Sequence, residues 1–156
     1  MWTLRRSLAF LLLLSLAACP PATIRPPFRP FPDALNAELK GEPPAVIEEA
    51  RRLLVAEGAA TAWFSGQDGY LESQWFNVLT KQAGRWEPAN PDSWVRVRVW
   101  ADPGPPGKTL LTLEVVYKPL DDPSRHERDL EHNVPPGHAG YELGRRVLGA
   151  LREKFK

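Results

Sequence analysis

The chain has 156 residues, with 20 Lys and Arg against 19 Asp and Glu, and its formal net charge is +1. This near-neutral balance gives no overall electrostatic reason to expect nucleic acid as a partner. The length supports one domain with its own hydrophobic core. Cys19 is the single cysteine, which excludes an internal disulfide.

Residues 1–18 have the pattern of a secretory signal peptide. Arg5 and Arg6 precede the apolar run LAFLLLLSL at residues 8–16, and two alanines follow it. The run is shorter than the roughly 20 residues that a membrane-spanning helix needs. We therefore predict export and cleavage, which would remove two of the 20 positive charges.

The sequence Leu16-Ala17-Ala18-Cys19 resembles the lipobox of bacterial lipoproteins. The resemblance implies that cleavage makes Cys19 the new N-terminus, that its thiol is linked to diacylglycerol and that its amine is often acylated too. A thiol suits this role because it is the strongest side-chain nucleophile at neutral pH. Cys19 is therefore the predicted lipid attachment site, and a membrane is the predicted partner there. Pro20 provides no acidic retention signal of the enterobacterial type, which favours the outer membrane, facing the periplasm.

Residues 19–41 are predicted to form a tether. Six of the 13 residues at 20–32, PPATIRPPFRPFP, are proline. Such a stretch favours polyproline II, which rises about 3.1 Å per residue and would hold a domain roughly 40 Å from the bilayer. Residues 33–41 are predicted to add one short helical turn. A ligand for a proline-binding groove is the alternative, and a stiff spacer is the favoured interpretation.

The folded domain is predicted to cover residues 42–156 and to begin with a helix. The pair Pro43-Pro44 suits a helix start, and apolar residues then recur at three- and four-residue spacing up to Gly58. The pair Asp68-Gly69 lies between two β-prone runs and predicts a hairpin. A loop is predicted to follow at 81–92.

Two strands of clear alternation come next, at residues 94–100 and 109–117. Their apolar residues share one face of each strand: Val95, Val97, Val99, Leu111, Leu113 and Val115. Burial on one side only is typical of an antiparallel sheet. A second helix is predicted over residues 138–155, from apolar residues at four-residue steps.

The predicted order is α-β-β-β-β-α. It predicts an α+β fold, a two-layer domain in which N- and C-terminal helices cover one face of a four-stranded antiparallel sheet. The other face is expected to stay open to solvent. The order resembles the helix-grip domains of BamC-type outer-membrane assembly lipoproteins, as does the phrase GYLESQWF at residues 69–76. That resemblance implies a binding or scaffold role at the outer membrane, without catalysis.

The expected open face suggests a candidate binding surface. Four residues alternate along it: Trp94, Arg96, Arg98 and Trp100. Trp and Arg are enriched at interface hot spots, so an envelope protein is a candidate partner. Alternatively, the two arginines pair across strands with Glu72 and Glu114 on a solvated face, each pair contributing about 0.2–1 kcal/mol.

The polar loop at residues 118–138 holds all three histidines: His126, His132 and His138. Their spacing of six fits no known ligand pattern, so no metal and no cofactor are predicted. No GxSxG surrounds any serine, so we find no catalytic centre in the sequence. We therefore expect a non-catalytic lipoprotein. A small envelope hydrolase that uses this loop is the alternative, and convergence of its histidines and acids in a cleft would favour it.

Overall fold

A computed structural model describes residues 23–156. These residues form an α+β fold in which helices pack on an antiparallel sheet of eight strands. The strands are β1 Leu35–Lys40, β2 Thr61–Ser65, β3 Tyr70–Ser73, β4 Phe76–Asn77, β5 Gln82–Ala83, β6 Trp94–Pro103, β7 Lys108–Tyr117 and β8 His132–Asn133. The helices are α1 Pro43–Ala56, α2 Glu127–Leu130 and α3 Ala139–Lys154, with a single 3-10 turn at Pro91–Ser93.

The long hairpin of β6 and β7 forms the centre of the sheet. The strand order is β1-β7-β6-β3-β2; β4 also pairs with β6, β5 with β4, and β8 with β7. Val97 lies opposite Val115, and Arg98 lies opposite Glu114. The predicted hairpin at Asp68-Gly69 joins β2 to β3, and Gly69 takes the positive φ of 60° that its turn requires.

The main core lies between one face of the sheet and the helices α1 and α3. Val97 and Leu113 are fully buried there, together with Ile47 of α1 and Leu143 of α3, as the alternation predicts. Gly144 lets α3 approach closely, because a Cβ atom at this position would lie 3.0 Å from Leu35 Cδ1.

The prediction of a four-stranded sheet with helices at both ends of the domain is wrong. Among the described residues the sheet has eight strands with three helices, and β1 precedes the first helix. Three of the additional strands, β4, β5 and β8, have two residues each, which is too short for an alternation to be visible.

The domain also begins earlier than residue 42. Residues 35–40, which we predicted as part of a tether with a short helical turn at 33–41, form strand β1 instead and pair with β7 in six consecutive positions. The reason is a short alternation, in which Leu35, Ala37 and Leu39 turn toward the core. The predicted signal peptide at 1–18, the lipobox and Cys19 all lie outside the described residues.

Candidate functional site

Ionic side chains cover the sheet face that points away from α1 and α3. Strands β3, β6 and β7 supply four of these groups, and the segment after β7 supplies the others. We call the set the charged face: Glu72, Arg96, Arg98, Glu114, Lys118, Glu127, Arg128 and Glu131. Four cations therefore meet four carboxylates on one side of the sheet.

Arg98 lies at the centre of the charged face and is only 3% exposed. Its guanidinium donates to Glu131 through two hydrogen bonds of 2.7 Å, to Glu72 at 3.0 Å and to Glu114 at 3.1 Å. Burial alone would lower the pKa of Arg98, and the carboxylates of Glu131 and Glu72 more than reverse this effect, so the pKa is raised. Arg98 is a permanent buried cation.

Arg96 occupies the next outward position on β6. It donates to Glu127 at 2.7 Å, and its guanidinium lies 4.5 Å from the centre of the Trp75 ring. Glu127 also accepts a 3.2 Å hydrogen bond from the Trp75 indole. Burial raises the pKa of Glu127, but the charge of Arg96 together with the hydrogen bonds from Arg96 and Trp75 outweighs burial, so the pKa is lowered. Glu127 is thus held as a carboxylate.

Residues 23–34, which we call the N-terminal strap, lie across the charged face. Arg128 is covered by the Phe28 and Phe31 rings, whose centres lie 4.3 and 3.9 Å from its guanidinium. The backbone N–H of Phe31 donates to Glu114 at 2.8 Å, and Arg128 donates to the carbonyl of Arg29 at 3.1 Å. Cation–π contacts and backbone hydrogen bonds therefore fix this part of the strap.

The start of the strap is fixed at the turn between β2 and β3. The backbone N–H of Ile24 donates to Asp68 at 3.1 Å. Arg25 donates to Asp102 at 2.6 Å and to the carbonyl of Ala101 at 3.2 Å. The predicted free tether is therefore docked on the domain from Ile24 onward.

We predicted that one face of β6 is open to solvent and carries Trp94, Arg96, Arg98 and Trp100. The predicted exposure of this face is wrong. All four residues lie on the predicted side of β6, but both tryptophans and Arg98 are buried and Arg96 is partly buried. Trp100 packs on Tyr70, with ring centres 5.4 Å apart, and lies beside the strap. The predicted partners Glu72 and Glu114 do pair with Arg98, beneath a cover and not on a solvated face.

A cluster of tryptophans beside the charged face holds a buried lysine. The Lys118 ammonium lies 4.6 Å from the centre of the Trp86 ring and 6.0 Å from that of Trp75. It also pairs with Asp121 at 2.7 Å. The indole N–H of Trp94 is buried, and no residue of the described part of the chain accepts a hydrogen bond from it. The sequence did not predict that Lys118, Arg128 and Glu131 belong to the charged face. For Arg128 and Glu131, the dense mixed charge of residues 125–131 was the available signal.

In the loop at 118–138, the histidines make different contacts from the acids. His138 caps α3, where its Nδ1 accepts from the N–H of Gly140 at 2.9 Å and its Nε2 lies 2.7 Å from the carbonyl oxygen of Asp92. His132 and His138 both pack on the Tyr117 ring, with ring centres 6.0 and 5.7 Å from it, and His126 is exposed. Glu127 and Glu131 point at the arginines instead. Within residues 23–156, no three potential ligands from His, Cys, Asp and Glu are grouped to hold a metal ion.

Comparison with known proteins returned no matching family model and no matching curated protein. In the described part of the chain, no helix combines the length and apolar character needed to cross a bilayer.

Proposed function

We propose that the protein is a lipid-anchored lipoprotein of the cell envelope, in which a non-catalytic domain serves as a binding or scaffold module in outer-membrane assembly or maintenance. One observation carries the proposal beyond the lipobox sequence. The N-terminal strap, which directly follows the proposed anchor, is bonded to the domain at both of its ends.

This docking changes the distance between the domain and its anchor. Ile24 is bound to the domain, and only residues 20–23 separate it from Cys19. The step from Cys19 to Thr23 can cover at most about 14 Å, because an extended residue spans at most about 3.6 Å. The proposed anchor therefore keeps the domain close to the membrane surface, and the 40 Å spacer of the sequence-based prediction does not apply.

The charged face supports a scaffold more than a reactive site. Its carboxylates Glu114 and Glu131 are buried against Arg98 and Arg128, so both serve the cohesion of the sheet and its cover. The histidines of the loop at 118–138 lie elsewhere in the structure. The hydrolase alternative required these two groups of residues to converge, and this geometry does not favour it.

Acyl labelling of the full chain tests the anchor. Cells that express the wild type or Cys19→Ala are fed a clickable fatty acid, and the purified protein is analysed by mass. The wild type should carry label and lack residues 1–18, whereas Cys19→Ala should carry no label and retain them. Ser7→Ala is the matched control and should be labelled like the wild type. Unchanged labelling of Cys19→Ala would refute the lipoprotein assignment.

Crosslinking in native membranes tests the scaffold role. The wild type should recover a discrete set of envelope proteins, and Val97→Asp, which forces a charge into the buried layer between the sheet and the helices and so unfolds the domain, should lose them. Recovery of the same proteins at the same yield by Val97→Asp would contradict a role that depends on the folded domain.

A further inference from the structure

Strand β2 presents exposed aromatic side chains at the edge of the sheet. It ends the strand order, with β3 as its neighbour. Trp63 is 59% exposed, and Phe64 beside it is partly exposed. The other tryptophans of residues 23–156 are buried or partly buried, so Trp63 stands apart from them.

The chain enters the described structure directly beside this edge. Thr23, Ile24 and Pro26 line a cleft of about 370 Å³ together with Trp63 and Tyr70. Because Cys19 lies at most about 14 Å of extended chain from Thr23, an anchor at Cys19 holds the β2 edge near the bilayer. Because the segment between Cys19 and Thr23 is short, we expect the β2 edge to face the membrane.

The chemistry of the edge matches the headgroup region of a bilayer. Tryptophan is enriched at membrane–water interfaces, where the apolar ring and the polar N–H are both satisfied. Phe64 lies on the opposite face of β2 from Trp63, and the partly exposed Arg51 guanidinium lies 5.1 Å from the centre of its ring, which suits a phosphate-rich layer beside Phe64. Arg51 also pairs with Glu48, so aromatic insertion and not net charge would dominate the contact.

We propose that the β2 edge, through Trp63 and Phe64, docks into the headgroup region of the phospholipid bilayer that holds the Cys19 lipid. The proposal rests on the proposed function, because the anchor supplies the proximity. A competing occupant of an edge strand is a strand from a second copy of the chain. The pairing of β2 with β3 shifts register between Thr61 and Trp63. Such an irregularity disrupts the regular ladder that an added strand would need, so it disfavours a second copy as the occupant of this edge.

Fluorescence quenching by brominated lipid tests the docking. Lipidated full-length protein is reconstituted into phosphatidylcholine vesicles with and without brominated acyl chains, and vesicle flotation is measured first. Bromination should lower the emission of the wild type by up to about one fifth, the share of one tryptophan among the five outside residues 1–18. Trp63→Phe should lose this quenching, while Leu79→Ser, an exposed control at a residue that does not line the cleft, should keep it.

The possible failures are distinguishable. A wild type that does not float with the vesicles would overturn the anchor and the docking together. Flotation with equal quenching in the wild type and Trp63→Phe would overturn the docking alone. Absent quenching together with a crosslinked dimer through residues 61–65 would assign the edge to a second copy instead. Equal loss of quenching in Leu79→Ser would also contradict the proposed orientation.

Discussion

Replacing Arg98 with methionine should destabilise the domain strongly. The guanidinium donates to Glu72, Glu114 and Glu131 over distances of 2.7–3.1 Å, and the last two carboxylates are buried. Methionine fills a similar volume but leaves these charges without their central cation. Breaking a buried ion pair from one side typically costs about 3–5 kcal/mol, because an uncompensated charge remains.

The lower end of that range is expected here. Glu114 keeps Arg128 at 2.7 Å, and Glu131 keeps Arg128 at 3.3 Å and Arg96 at 3.4 Å, so neither carboxylate is left wholly unpaired. We therefore expect a loss of about 3 kcal/mol in the free energy of unfolding. Domains of this size have about 5–15 kcal/mol in total, so the effect is a large share of their stability.

Urea unfolding followed by circular dichroism measures this loss. Arg146→Met is the matched control, because Arg146 is 55% exposed and pairs with Glu57 at 3.1 Å on the surface. That variant should lose less than about 1 kcal/mol. The double variant Arg98→Met/Glu131→Gln should be more stable than Arg98→Met alone, since it removes the carboxylate charge that exceeds the three remaining cations of the charged face. An Arg98→Met protein as stable as Arg146→Met would refute the buried network.

Two further predictions concern pH and the strap. Hydrogen bonds from Arg52 and then Lys154, opposed by burial, lower the pKa of Glu49 from 4.5 to about 2. The stability that the Glu49 carboxylate contributes is therefore complete above about pH 5 and is lost as the pH falls toward 2. Glu49→Gln should lower the free energy of unfolding by about 1 kcal/mol at pH 7. In urea titrations, the difference between the variant and the wild type should shrink toward pH 3. Phe31→Ala should cost about 1–2 kcal/mol and speed chymotryptic cleavage after Phe28, because the strap loses its contact with Arg128. Cleavage at the wild-type rate would contradict the docked strap.

The elements with long, regular patterns were predictable from the sequence. Strand β6 was expected at 94–100 and covers Trp94–Pro103, and the last helix was expected at 138–155 and covers Ala139–Lys154. Helix α1 ends before Gly58, which has the positive φ of 95° expected of a helix terminator. Each of these elements repeats its apolar spacing several times, so its own residues determine its conformation and its buried face.

The cover of the charged face was not predictable in the same way. Alternation places Arg96 and Arg98 opposite the valines, but it carries no information on what lies above them. That information is distributed between Phe28 and Phe31 in the strap and Glu131 beyond α2. All three residues are more than 30 positions away from Arg96 and Arg98 along the chain. Pairing over such separations depends on the complete fold, and local periodicity cannot report it.

The proline content that predicted a free tether also suits a docked strap. A segment that lies across a sheet face, outside the strand ladder, must satisfy every backbone N–H that it buries. Proline has no N–H, and its fixed φ reduces the entropy lost on docking. The strap has four prolines, and several of its remaining donors are bonded: Ile24 to Asp68, Arg25 to Thr23, Phe31 to Glu114 and Ala34 to the carbonyl of Phe31. Composition therefore predicted the backbone character of this segment, and the aromatic rings at 28 and 31 determine where it binds.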